Sequence, residues 1–162
     1  MSILYKMGKI YTISIGSGTR VTGTTITKAN YNINWDTILP ENKSFKVGFS
    51  FISNTVNITS LTSIPIIAID LGGSDTYRIN ATQSTYANST NTVGLLAPHT
   101  LSTTTFLRGE AQANNKTYIK RRPVNNVFNV LIFTTAGTEW TDNVGGVMSS
   151  YVLVLSFEEM DE

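Results

Sequence analysis

In the stretch Phe45-Lys46-Val47-Gly48-Phe49-Ser50-Phe51, every second residue is large and apolar. A β-strand turns alternate side chains to one face, whereas a helix gathers a stripe every 3.6 residues, so this spacing predicts a strand over Ser44–Ile52. The same period runs through Lys9–Ile15, where Tyr11, Ile13 and Ile15 share a face. It runs again through Ile26–Trp35, with Tyr31, Ile33 and Trp35 on one side and Asn30, Asn32 and Asn34 on the other. One greasy and one wet face is the pattern of an antiparallel sheet laid over a core. Composition agrees. Thr, Ser and Asn supply 54 of the 162 residues. These residues disfavour helix interiors, and Thr suits strands. A helical bundle, a coiled coil and a charged disordered tail are all disfavoured.

The rest of the chain continues as short strands between turns. Gly16-Ser17-Gly18 stops the first strand, and Asp36–Pro40 reads as a turn or a single helical turn. Ile64–Leu71 is apolar on both faces and is expected to be a central strand, with Pro65 near its start where a missing N–H is tolerated. Gly72-Gly73-Ser74-Asp75 reads as a hairpin-like turn into Thr76–Asn80, and residues 81–92 as a loop. Weaker strands are expected at Val93–Leu96 and Ser102–Leu107, then Thr117–Lys120 after an Asn114-Asn115 turn. Val127–Thr134 is a clear strand. Thr135–Gly146 is a long loop carrying Trp140, and Tyr151–Phe157 reads as a closing strand buried on both faces. Eight to ten strands without a helix predict an all-β fold, a two-sheet antiparallel sandwich. A single jelly roll of about eight strands fits best. An immunoglobulin sandwich lacks its Cys–Trp–Cys pattern, and an up-and-down barrel is the alternative connectivity. The length favours one domain, 1–162, with short arms at Met1–Lys6 and Ser156–Glu162.

Charge narrows the function. Twelve Lys and Arg face eleven Asp and Glu, a net charge of +1, too even for a general nucleic-acid binder. The densest basic run is Lys116, Lys120, Arg121 and Arg122, read as a solvated strand end or a subunit contact. Glu158, Glu159, Asp161 and Glu162 read as a solvated acidic tail. With no cysteine, structural disulfides, thiolate metal sites and cysteine nucleophiles are excluded. The start of the chain carries no long apolar stretch, so no secretory signal is expected. The longest apolar run, Ile64–Ile69, is far short of the roughly 20 residues of a membrane helix. The five Asn-x-Ser/Thr sequons, at Asn42, Asn57, Asn80, Asn88 and Asn115, read as composition rather than glycosylation.

Reactive groups are few. His99 is the single histidine, lacks ligand spacing for zinc, and has no Gly-x-Ser-x-Gly elbow to serve. The glycine pairs lack phosphate-loop endings, and Asp70 and Asp75 flank a turn without EF-hand spacing. Glu139-Trp140-Thr141-Asp142 is the most suggestive acidic cluster, but alternation along a strand sets Glu139 and Asp142 on opposite faces. Trp140 reads as an anchor onto the sandwich or a neighbour. No enzyme activity and no cofactor or metal is expected.

Two stretches carry a family resemblance. Tyr31-Asn32-Ile33-Asn34-Trp35-Asp36-Thr37-Ile38-Leu39-Pro40 leads into the Phe45–Phe51 strand, and Arg122-Pro123-Val124-Asn125-Asn126-Val127-Phe128-Asn129-Val130 precedes the closing strand. Together they resemble the single-jelly-roll minor capsid or penton-type proteins of large double-stranded DNA viruses and virophages, over about a third of the chain. The resemblance implies a structural protein of an icosahedral capsid, assembled inside the host cell, whose partners are itself and other capsid proteins. Trp and Arg are favoured at interface hot spots, so Trp35, Arg121, Arg122 and Trp140 are the candidate subunit contacts, with Trp35 equally readable as a core residue. The alternative is a receptor- or sugar-binding sandwich, such as a trimeric fibre head, with Trp140 and the Tyr77/Tyr86 region as its stacking surface.

Overall fold

A computed structural model describes residues 8–56, 65–71, 92–96, 100–101, 106–110, 117–134, 139–140 and 147–160. Ten strands follow in order: β1 Ile10–Gly16, β2 Lys28–Asn32, β3 Phe45–Val56, β4 Pro65–Leu71, β5 Thr92–Leu96, β6 Thr100–Leu101, β7 Phe106–Glu110, β8 Thr117–Ile119, β9 Val127–Thr134 and β10 Val147–Glu159. Two 3-10 turns, Ser17–Thr19 and Trp35–Thr37, are the only helical elements among the described residues.

All pairings are antiparallel and fall into two sheets. The larger runs β1-β10-β3-β7-β6, with β8 also paired to β3, and the smaller runs β2-β9-β4-β5. The chain therefore changes sheet after β1, β2, β3, β5, β8 and β9. The last strand lies between the first and the third, and the ninth between the second and the fourth. That interleaving is the connectivity of a jelly roll. β3 is long enough for two short strands to share one of its edges, β7 against Ser50–Asn54 and β8 against Phe45–Val47.

The core lies between the sheets, and the period-two residues fill it. Phe45, Val47, Phe49 and Phe51 of β3 are buried, as are Tyr151, Leu153, Leu155 and Phe157 of β10. Tyr31 of β2, Ile67, Ile69 and Leu71 of β4, and Phe128, Val130 and Ile132 of β9 oppose them. Each such side chain contributes about 1.5–3 kcal/mol when taken fully from water. Two features tie the sheets together. The Tyr31 hydroxyl donates to the Tyr151 hydroxyl across the interior at 2.7 Å. Trp35 sits edge-on to Phe157 of one sheet, at 5.6 Å between ring centres, and tilted against Phe128 of the other at 6.0 Å.

Several expectations need correction. The second strand stops at Asn32, and the chain turns at Trp35–Thr37, where the backbone N–H of Leu39 bonds Trp35 O at 2.8 Å. The closing strand extends to Val147–Glu159 and is buried on one face only. Val152 is 44% exposed and Val154 half-buried, because no described element covers the outer face of the larger sheet. Ser156–Glu159 are ladder residues and not an arm. Glu159 is no solvated tail residue either: its carboxylate pairs with Lys43 at 3.2 Å and accepts from the Tyr11 hydroxyl at 3.4 Å. Of the strand expected at Ser102–Leu107, Phe106 and Leu107 fall in β7, and residues 102–105 lie outside the described residues.

β4 agrees with its reading, paired on both sides, with Ile67, Ala68 and Ile69 all at zero exposure. The expected hairpin at Gly72–Asn80, the loop 81–91, the Asn114-Asn115 turn, the arm Met1–Lys6 and the tail residues Asp161 and Glu162 lie outside the described residues.

Candidate interaction surface

The expected contact residues separate cleanly once the chain is folded. Trp35 has no exposed surface, and its indole Nε1–H donates to Asn125 O at 2.9 Å. Trp140 is 2% exposed and belongs to the same core cluster. Neither ring has a face to offer a neighbour or a sugar, which removes the contact role expected of both and the stacking role considered for Trp140. Hot-spot preference concerns surface tryptophans. Here both indoles belong to the core, Trp35 between Phe128 and Phe157.

Trp140 is held through its backbone. Its N–H donates to Ile132 O at 3.0 Å, while Glu139 bridges to Phe133, so the pair forms a short ledge beside β9. The Glu139 carboxylate accepts from the hydroxyls of Thr25 and Thr27 and pairs with Lys28 Nζ at 2.9 Å. Partial burial raises its pKa, but the bonds from Lys28, Thr27 and Thr25 outweigh this and hold it below the ordinary carboxylate value. This is an anchor between residues remote in sequence. The Trp140 indole Nε1–H and the Ser53 hydroxyl are buried without a hydrogen-bond partner.

The arginines do different work. Arg122 reaches back to the turn after β2, donating to Leu39 O at 3.2 Å and pairing with Asp36 at 2.8 Å. With Trp35 to Asn125 and Ile33 N–H to Asn126 O at 2.7 Å, it ties the 33–39 segment to the 122–126 loop. Val124, Asn125 and Asn126 remain exposed on that loop, Val124 by 62%, as do Arg121 just before it and Val127 at the start of β9. Of the four expected contact residues, Arg121 alone stands fully at the surface. Sequence reasoning missed Val124 and Val127, whose signal was an apolar residue on each side of Asn125-Asn126.

The larger sheet shows a second surface. On its outer face the ladder aligns three rows: Thr12, Ser156 and Gly48; Ser14, Val154 and Ser50; Gly16, Val152 and Ile52. All nine positions are uncharged and mostly small, and Ile52 and Val152 are 47% and 44% exposed. Charge begins at the border of this patch: the next row is Ile10, Glu158 and Lys46, and β7 sets Arg108 and Glu110 in register with Ile52 and Ser50. A depression of about 480 Å³ at one end is lined by Gly16, Ser17, Gly18, Ile52, Ser53 and Tyr151 among others. A groove of about 360 Å³ runs between Ile13–Gly16 and Tyr31–Asn34. Tyrosine is the one titratable residue type lining them. Burial drives the pKa of Tyr151 far up, and that of Tyr31 is raised by the same cause, so both stay protonated near neutral pH. These hollows can accept hydrogen-bonding or apolar groups.

No group of three or more His, Cys, Asp or Glu stands together among the described residues. Among them also, no helix is long and apolar enough to cross a membrane. His99, Asp75, Asp142, Lys116, Tyr77, Tyr86 and four of the five sequon asparagines lie outside the described residues. Asn42 of the remaining sequon is exposed, in a turn with φ +58°. No protein-family model matches the chain, and no curated protein matches it.

Proposed function

We propose that this chain is a structural subunit of an icosahedral virus capsid, a minor or vertex component that works by being touched. The observation that carries the reading is the uncharged nine-residue patch on the outer face of the larger sheet, bordered by the charged positions Lys46, Glu158, Arg108 and Glu110. Nine aligned small or apolar positions keep the desolvation cost of a contact at this patch low, and the charges at its border favour water around it. The jelly-roll connectivity and the apolar tips Val124 and Val127 at one end of the sandwich support the same use. Partners are further copies and other shell proteins, and the place of action is the virion.

The test is direct. Particles purified from producing cells and stripped of loosely bound protein are analysed by quantitative mass spectrometry and imaged. The expected result is a fixed, symmetry-related copy number per particle. Absence from particles, or a copy number that falls with each wash, overturns the reading.

A further inference from the structure

Among the described residues, β1 pairs with β10 along one side and with nothing along the other, so it is a free edge. Such an edge presents a row of unpaired backbone donors and acceptors, and proteins that stay single blunt it with lysine, proline or a bulge. β1 has none of these. Its sequence Ile-Tyr-Thr-Ile-Ser-Ile-Gly is uncharged, lacks proline, and keeps unbroken register with β10 over all seven residues.

The core is also unfinished on this side. Among the described residues, five apolar side chains pack on the core while only partly buried, Tyr11 and Ile13 on β1 and Ile26, Ile33 and Ile38 before and after β2, and three of them, Ile13, Ile33 and Ile38, line the groove beside this edge. The groove of about 360 Å³ between Ile13–Gly16 and Tyr31–Asn34 opens here, between the free edge of β1 and the segment Tyr31–Asn34, while the β2 edge is itself bonded at Asn30 O by Val21 N–H at 2.8 Å.

We infer that β1 pairs antiparallel with β1 of a second copy across a two-fold axis through Ile13, joining the two larger sheets into one. Centring on Ile13 is the register that uses all seven residues. It sets Thr12 opposite Ser14 and Tyr11 opposite Ile15, and leaves Ile13 facing its own copy on the core side. Aromatic–aliphatic and β-branched pairs of this kind stabilise antiparallel ladders. Ile10, 58% exposed, falls opposite Gly16, which has no side chain to obstruct it. The same axis brings the β2 edges towards each other and closes the groove.

A second copy is the occupant favoured by charge and by size. The strand is neutral, so two identical edges meet without repulsion. Seven residues span about 24 Å, and two sheets about 10 Å apart with their outer side chains are about 20 Å deep, giving roughly 1,000 Å² of buried surface in total. That lies just below stable dimers and above most incidental contacts, the range of a joint that many copies strengthen together. The proposal rests on the reading of the chain as a self-assembling subunit and gives one of its contacts a location.

The experiment is sedimentation equilibrium of the whole chain from about 1 μM to about 1 mM. The expected mass rises towards twice 17.7 kDa. Thr12 and Ser14 are exposed, so Thr12→Lys with Ser14→Lys leaves the monomer folded, as circular dichroism will check. In the dimer it sets lysines opposite one another, and association should weaken by about 100-fold or more. Mixing that variant with Thr12→Glu/Ser14→Glu should restore a one-to-one dimer, which no general loss of stability would produce. A chain monomeric throughout, or a dimer indifferent to the lysines, overturns the inference. Either result in a chain still found at fixed copy number in particles leaves the shell reading standing. A β1-dependent dimer absent from particles removes the shell reading and keeps the joint.

Discussion

Tyr31 and Tyr151 show how a single polar contact is made safe inside an apolar core. Two phenols meet at 2.7 Å inside the buried core, each satisfying the other's hydroxyl. Tyr31→Phe alone leaves the Tyr151 hydroxyl buried without its partner and should cost about 1–3 kcal/mol. Adding Tyr151→Phe removes that orphan, so the double variant should lose clearly less than the sum of the singles. Urea unfolding of the four proteins measures the coupling. Strict additivity would show that the hydroxyls do not interact. At the same scale, sequence reasoning recognised Tyr31 and Trp35 as residues of one face. It could not place the indole between Phe128 and Phe157, since those partners are 93 and 122 residues away along the chain.

At the scale of elements, the loops are held by long-range polar ties. Arg122 grips Asp36 and Leu39 O from a loop that follows β8. Arg122→Ala should loosen the 35–39 turn and cost about 1–2 kcal/mol, since a half-exposed ion pair gives little and the carbonyl bond somewhat more. Amide exchange of Ile38 and Leu39, whose N–H groups bond Trp35 O, should accelerate while that of β4 does not. Equal acceleration in both would mean global destabilisation instead. Glu139 makes the corresponding tie to the segment before β2, and its sign with pH follows from its lowered pKa. The folded chain prefers the carboxylate, so the unfolded chain takes up the proton at higher pH. The stabilisation is complete above about 4.5, the ordinary value, and is lost as pH falls through the lower folded pKa. The melting-temperature gap between the native chain and Glu139→Gln should therefore be present at neutral pH and close below pH 4.5. A gap unchanged by acid would remove the carboxylate from the account.

At the scale of the whole molecule, both sheets share one core, and each alone would expose half of it. The chain should unfold as a single unit, with tryptophan emission and far-ultraviolet dichroism tracing one curve in urea. Both indoles are buried, so the emission reports on the interior. A sheet lost before the other would split the two curves. Folding should also be slow for a chain this size, in milliseconds to seconds, because the first strand must find the last before either is stable.

What the residues determined on their own was local: where the backbone alternates, where glycine and the Pro40 region interrupt it, and that no helix competes. The Phe45–Phe51 repeat needed no partner to be read as a strand, because period two is a property of one backbone. Which side of a strand meets water belongs to the tertiary structure. Leu153 and Val152 are alike in sequence, yet one is wholly buried and the other 44% exposed, because a second layer covers one side of β10 and no described element covers the other. The tryptophans, the arginine ties and the open edge at β1 were decided in the same way. Each depends on which distant segment arrives beside it, and burial is a relation between segments that no single stretch of chain contains.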